Sequence, residues 1–228
     1  GDGRFDLIVA PIFGSNAAPP VYDDPARIFA YTKVDVNDGS RWSRRPLAAR
    51  RVTHAIEYHP AFAGVMKPIL LAADNEGVTL IGPLPNGAEV GAVDLVPGAT
   101  GKAPRKGASE IHKGRFQDGR AFLATLEPWH GTTVVVWPQK AVGSMEFGPR
   151  IVLDDTLADG HALWVVDVDG DGQDEVIAGH RGKDHRVSLY DFDAASSTWR
   201  RTVVDRDVAA QDLRGGDVDG DGRPDVVA

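Results

Sequence analysis

The sequence contains no cysteine, so no disulfide framework holds the chain, and its redox compartment stays undetermined. It has no apolar run long enough to cross a membrane and no signal-type segment at its start. No amphipathic helix longer than one or two turns can be drawn through it. Positive charge is also in deficit: 25 Lys and Arg face 33 Asp and Glu, for a formal net charge of −8. That balance disfavours nucleic acid or any other polyanion as a partner, with the cluster Arg41, Arg44, Arg45, Arg50 and Arg51 as a local exception. What the chain does have is 26 Gly and 15 Pro among many Val, Ile and Thr, the composition of a turn-rich all-β protein.

Much of the negative charge lies in a short run that occurs twice. It reads Asp-Val-Asp-Gly-Asp-Gly-Gln-Asp-Glu at 167–175 and Asp-Val-Asp-Gly-Asp-Gly-Arg-Pro-Asp at 217–225, and its back half opens the chain as Gly-Asp-Gly-Arg-Phe-Asp. Carboxylates crowded into one loop repel one another unless a hard cation lies among them. Alternation on a curled backbone turns Asp167, Asp169 and Asp171 inward, with Glu175 closing the set and the carbonyl of Gln173 adding a ligand. Asp217, Asp219, Asp221, Asp225 and the carbonyl of Arg223 repeat the arrangement. Asp2 and Asp6 keep the second half of a third site. All-oxygen ligation suits Ca²⁺ best and Mg²⁺ less well. An EF-hand is excluded, because the twelfth position is Ala178 or Ala228 and the flanks read as strands. The bland alternative is a solvated acidic turn, which the recurrence of one spacing argues against.

The repeat sets the architecture. Asp171 and Asp221 are 50 residues apart, and the 169 residues from Asp2 to Asp171 hold three units of about 56. Such periods, with several short strands each, mark a propeller or a solenoid. Unit two offers strands at 53–58, 68–73 and 77–81; unit three at 110–112, 120–125 and 131–137; unit four at 161–166, 175–178 and 186–191. Fourth strands fit 42–47 and 199–204. Four strands per unit is a β-propeller blade. The expected units are 1–52, 53–107, 108–159, 160–210 and a partial 211–228. Both ends supply the same second strand, so the chain reads as about four blades of a larger propeller, roughly six- to eight-bladed and centred on seven. Missing blades, another domain or another subunit would then cover its open edges. The natural N-terminus is expected to lie elsewhere, and an extracellular or periplasmic location is the expectation.

The loop Asp-x-Asp-Gly-Asp-Gly-x-x-Asp between two strands resembles the FG-GAP or VCBS repeats, known from integrin α-subunit propellers and many microbial proteins. The resemblance implies Ca²⁺ at the outer edge of a blade, bound at 167–175 and 217–225. Units two and three, with Pro60-Ala-Phe-Ala-Gly64 and Arg115-Phe-Gln-Asp-Gly119 at that place, lack the carboxylates and should bind no ion. The segments at 53–57, 127–131 and 178–182 also resemble the N-terminal propeller of aldos-2-ulose dehydratase, which eliminates water from keto-sugars. Propeller lyases acting on uronate-linked sugars use similar histidines.

First-strand starts and second-strand ends share one face of a propeller, opposite the acidic loops. By that rule His54, His161, His112, His130 and His180 gather at one channel mouth, joined by Glu110, Glu127, Asp74, Arg181 and Asp212; His59 and His185 have no clear place. Imidazoles there can move protons, and three of them can bind Zn²⁺. Trp129 offers a ring for stacking on a sugar, and Glu110 and Arg181 offer polar contacts to it. His130 is singled out, since Glu-Pro-Trp-His-Gly recurs nowhere else in the chain. The alternative is that each histidine merely caps a strand. Two functions remain open: a lyase or dehydratase acting on a keto-sugar or uronate, and a non-catalytic Ca²⁺-binding module for a glycan or protein. The residues at the mouth differ from unit to unit, which favours one composite site and therefore the enzyme.

Overall fold

The computed structural model of the chain describes residues 6–33, 41–84, 87 and 89–228. Every regular element among the described residues is a strand. β1 (Leu7–Val9), β2 (Ala26–Lys33) and β3 (Trp42–Arg50) form a three-stranded sheet. Three four-stranded sheets follow. They are β4 (Ala55–His59) to β7 (Gly91–Val96), through β5 (Ile69–Asp74) and β6 (Gly77–Gly82); β10 (Glu110–Arg115) to β13 (Ile151–Asp154), through β11 (Ala121–Glu127) and β12 (Thr133–Pro138); and β14 (Gly160–Val166) to β17 (Thr198–Asp205), through β15 (Glu175–His180) and β16 (Arg186–Asp193). A hairpin of β8 (Ala99–Lys102) and β9 (Arg105–Gly107) links the second and third sheets, and β18 (Arg214–Gly216) pairs with β19 (Asp225–Val227). All pairings are antiparallel between chain neighbours, the meander of a propeller blade.

The hydrophobic pattern explains the stacking. β5 and β15 are buried at every position, because a blade lies between two others and has no solvated face. Leu70 and Ala72 pack with Ile28 of the first sheet. Their neighbours Leu71 and Ala73 point the other way, to Ile111, Leu123 and Val135 of the third. Phe122, Ala124 and Val134 then meet Leu163 and Val176 of the fourth, and Ala162 and Ile177 meet Leu213 beside β18. The core is thus a series of apolar layers between sheets.

A bulge recurs where the last two strands of each of these four sheets pair: at Ile28/Phe29, Val78/Thr79, Val134/Val135 and Val187/Ser188. A bulge adds local twist, and its repetition bends each outer strand in the same way. At the outer ends of the series Leu7, Val9, Val226 and Val227 are exposed, as are Ile56 and Tyr58 on β4.

β4, β10 and β14 are the first strands of their sheets and run in the same sense, so residues before or at their starts share one end of the assembly. Within β10, Gly114 lies under the Phe122 ring, and a Cβ there would come within 2.1 Å of it. Gly114→Ala is expected to destabilise the fold by about 1–3 kcal/mol through overpacking, read as a lowered denaturant midpoint.

Candidate functional site

Three histidines from three consecutive sheets meet at the end of the assembly opposite the acidic loops. His54 precedes β4, and its N–H donates to the Ala73 carbonyl at 3.0 Å. His130 occupies the turn after β11 in the left-handed region, with φ of 48°. His161 is the second residue of β14. Their ring centroids lie 5.1, 5.3 and 4.8 Å apart, and His54 Nε2 is 3.1 Å from His130 Nε2.

The outward nitrogens are anchored. His54 Nδ1 faces Glu110 Oε1 at 2.9 Å and the Ser109 carbonyl at 3.1 Å. His161 Nδ1 donates to the Gln211 carbonyl at 2.7 Å. His130 Nδ1 faces Asp159 Oδ1 at 3.2 Å and Arg181 Nη2 at 3.2 Å. Acceptors at Nδ1 leave the Nε2 lone pairs of His54 and His161 turned toward the common space. Burial, then the like charges of His54 and His161, hold the His130 imidazole down to about 4, so it is neutral at pH 7. Ligand atoms of the three rings lie within 4.8 Å of one another. Tetrahedral Zn²⁺ with Zn–N distances near 2.0–2.1 Å needs about 3.3 Å, a small closing of the rings. Imidazoles held from behind by carboxylates and carbonyls are the usual outer shell of such a site.

Of the other residues read from the sequence, Glu110, Arg181 and Trp129 join this group. Arg181 also bonds Asp159 Oδ2 at 2.6 Å and Gln211 Oε1 at 2.7 Å. Trp129 packs on His130 and His54, with centroids at 4.8 and 6.3 Å, and on Phe13 and Tyr22 beyond. Asp159, Gln211, Phe13 and Tyr22 escaped the sequence reading; only the Asp159-Gly160 pair, a turn signal before a strand, pointed to one of them.

His180 and His112 do not join. β15 continues through His180, which is 1% exposed; its Nε2 accepts from Arg186 at 3.2 Å and its Nδ1 lies against the Ala158 backbone. His112 sits two residues inside β10, where it shares the Glu57 carboxylate with His59 at 3.1 and 2.8 Å. Asp74 and Glu127, both fully buried, are spent on Arg50 and Thr79, and on Thr125, Trp137 and Arg150. Asp212 pairs with Arg214.

The acidic loops repeat one geometry. Gly170 and Gly172 donate to Asp167 at 2.7 and 3.0 Å, and Gly220 and Gly222 donate to Asp217 at the same distances. Those four glycines have φ of 79–89°, which favours glycine. Asp167, Asp169 and Glu175 bring oxygens within 4.8 Å of one another, as do Asp217, Asp219 and Asp225. Asp171 and Asp221 stand outside these groups; each accepts from the N–H two residues on, at Gln173 and Arg223. The Gln173 side chain donates to the Phe192 carbonyl, and Arg223 is exposed. Asp6 accepts from Thr32 Oγ1 at 2.5 Å, and Asp2 lies outside the described residues. Glu175 carries the fit to a cation: its Oε1 is buried without a hydrogen-bond partner. Burial and then the charges of Asp169, Asp167 and Asp171 push its carboxyl up to about 7, against the bond from the Val168 N–H.

Two outcomes follow from these carboxylates. Added Ca²⁺ is expected to raise the melting temperature, by the equivalent of about 2.7 kcal/mol at a hundredfold excess over Kd. In Glu175→Gln that gain shrinks, while the ion-free variant is at least as stable as the parent; calorimetry with and without chelator reads both. Burial works to raise the Glu57 carboxyl, but the bonds from His112 and His59 outweigh it and hold it at about 2. A lowered folded value stabilises above the unfolded value of about 4.5, and the gain is lost as pH falls toward 2. Glu57→Gln should therefore cost about 2–3 kcal/mol at pH 7, with the gap to the parent closing between pH 4.5 and 2 in denaturant titrations.

Residues 167–228 match the family model described as an FG-GAP-like repeat. No curated protein gives a significant match to the chain, and the likeness to aldos-2-ulose dehydratase finds no support in these comparisons. Among the described residues no helix is long and apolar enough to cross a membrane. The matched segment contains both acidic strand-to-strand loops, each joining the first and second strands of a blade-like sheet. The chain is thus an all-β protein of the β-propeller type that carries an FG-GAP-like repeat at 167–228.

Proposed function

We propose that the chain is a carbohydrate-active lyase or dehydratase whose reaction centre is the group His54, His130 and His161. The observation that carries this reading is the convergence of three imidazoles from three sheets, each held at Nδ1 from behind.

The reaction class is β-elimination from a keto-sugar or uronate. A proton leaves the carbon beside a carbonyl or carboxylate, the C–H electron pair becomes the new C=C bond, and the β-oxygen departs with a proton. The step needs a neutral base and a positive charge facing the carbonyl or carboxylate oxygen. His130, uncharged at pH 7, serves as the base at Nδ1 once Arg181, which donates to that nitrogen at 3.2 Å, turns to the substrate oxygen and supplies the charge; Trp129 presents a ring to the sugar. Zn²⁺ bound by the three histidines would supply stronger electrophilic stabilisation of the same oxygen. Ca²⁺ at the acidic loops, at the opposite end of the strands, has a structural role in this reading.

A second reading, a non-catalytic Ca²⁺-binding module for glycan or protein, is favoured by the family match, which describes a repeat and no chemistry. The ultraviolet absorbance of the conjugated double bond separates the two. His130→Ala is expected to lower turnover by a factor on the order of 10² while the melting temperature and its Ca²⁺ response persist. Dialysed protein assayed with and without Zn²⁺ shows whether the histidines work as base or as ligands. Absence of any unsaturated product from keto-sugars and uronates, with or without Zn²⁺, would leave the module reading standing.

A further inference from the structure

A cleft of about 390 Å³ opens between the loop after β1, the β5–β6 turn and the β8–β9 hairpin. Tyr22, Arg51, Asn75, Glu76, Lys102 and Lys106 line it. Tyr22 also packs on Trp129, with ring centroids 6.5 Å apart, and Trp129 packs on His130. One aromatic wall therefore runs from the cleft to the histidines. One feature of the cleft is unexplained by the fold. Asn75 is 3% exposed, yet its Oδ1 has no hydrogen-bond donor; Glu76 Oε2 lies 3.7 Å from the Arg50 guanidinium. A buried acceptor left without a donor is costly, and a ligand hydroxyl reaching the Asn75 amide would relieve it. Arg51 is engaged by Glu76 Oε1 and the Asp23 carbonyl, but Lys102 and Lys106 have no ion-pair partner among the described residues. Arg51, Lys102 and Lys106 outnumber the Asp23 and Glu76 carboxylates in the same lining, which leaves the cleft one net positive charge in a chain of net charge −8.

We infer that the cleft is a subsite for an acidic sugar unit, so that the substrate is an oligosaccharide bearing carboxylates rather than a free monosaccharide. Lys102 and Lys106 meet the carboxylate, Asn75 Oδ1 accepts from a hydroxyl, and the Tyr22 ring covers an apolar sugar face. The next unit along the aromatic wall then lies at the histidines. This assignment deepens the lyase reading and rests on it only for the link to chemistry.

The test is calorimetric titration of the whole chain with trigalacturonate, its methyl ester and monomeric galacturonate. The trimer should bind at least tenfold more tightly than the monomer or the ester, with affinity falling as salt rises. The double variant Lys102→Ala/Lys106→Ala should lose that advantage, whereas Lys140→Ala, on the acidic-loop face, should keep it. A trimer that binds no better than the monomer, or equally well to the double variant, overturns the subsite. Lysine-dependent binding without any unsaturated product sinks the lyase reading alone, and conversion with lysine-independent affinity sinks the subsite alone.

Discussion

The structure depends on apolar burial of both faces of each sheet. A blade flanked by two others has no solvated side, so its inner strands must be apolar at successive positions rather than alternate ones. Leu70, Leu71, Ala72 and Ala73 show the rule, as the odd and even members serve different neighbours. This burial has little direction of its own. It holds the sheets together without saying where along one another they should stop.

Polar contacts between first strands supply that position. Glu57 of β4 accepts from the Lys113 N–H and from His112 of β10. Glu110 of β10 reaches back to His54, and Gln117 contacts Asp171 across the next junction. The bonds that align adjacent sheets at one end are thus among those that hold the candidate reaction centre. At the other end the acidic loops curl on their own N–H groups, and the loop at 167–175 is tied to the neighbouring blade as well, through the Asp174 N–H to the Arg115 carbonyl at 2.9 Å.

Legibility in the sequence followed burial. Doubly buried strands such as β5, β11 and β15 appear as apolar runs bounded by turn residues, and the acidic loops announce the first-to-second connection. The strands β7 and β13 are half-exposed and short, with a pattern weak enough to pass for loop. β2 and the β8–β9 hairpin were also invisible to the repeat. The direction of the strands was enough to bring His54, His130 and His161 together on paper. It misplaced His180, because the strand end was set two residues too early, and His112, because a position two residues into a strand already belongs to the channel wall. Asp159 and Gln211 act through a carboxylate and a backbone carbonyl brought in by neighbouring connections, and a linear pattern carries no trace of such partners.

The three histidines come from three different repeats, and none of them finds a second imidazole within its own unit. The centre is therefore a property of the stack, absent from any one blade and created when three have docked in register. A repeat protein of this kind can lengthen, shorten or exchange blades elsewhere without touching the centre. Inserting a blade among these three would abolish it outright, even if every residue of the site were kept.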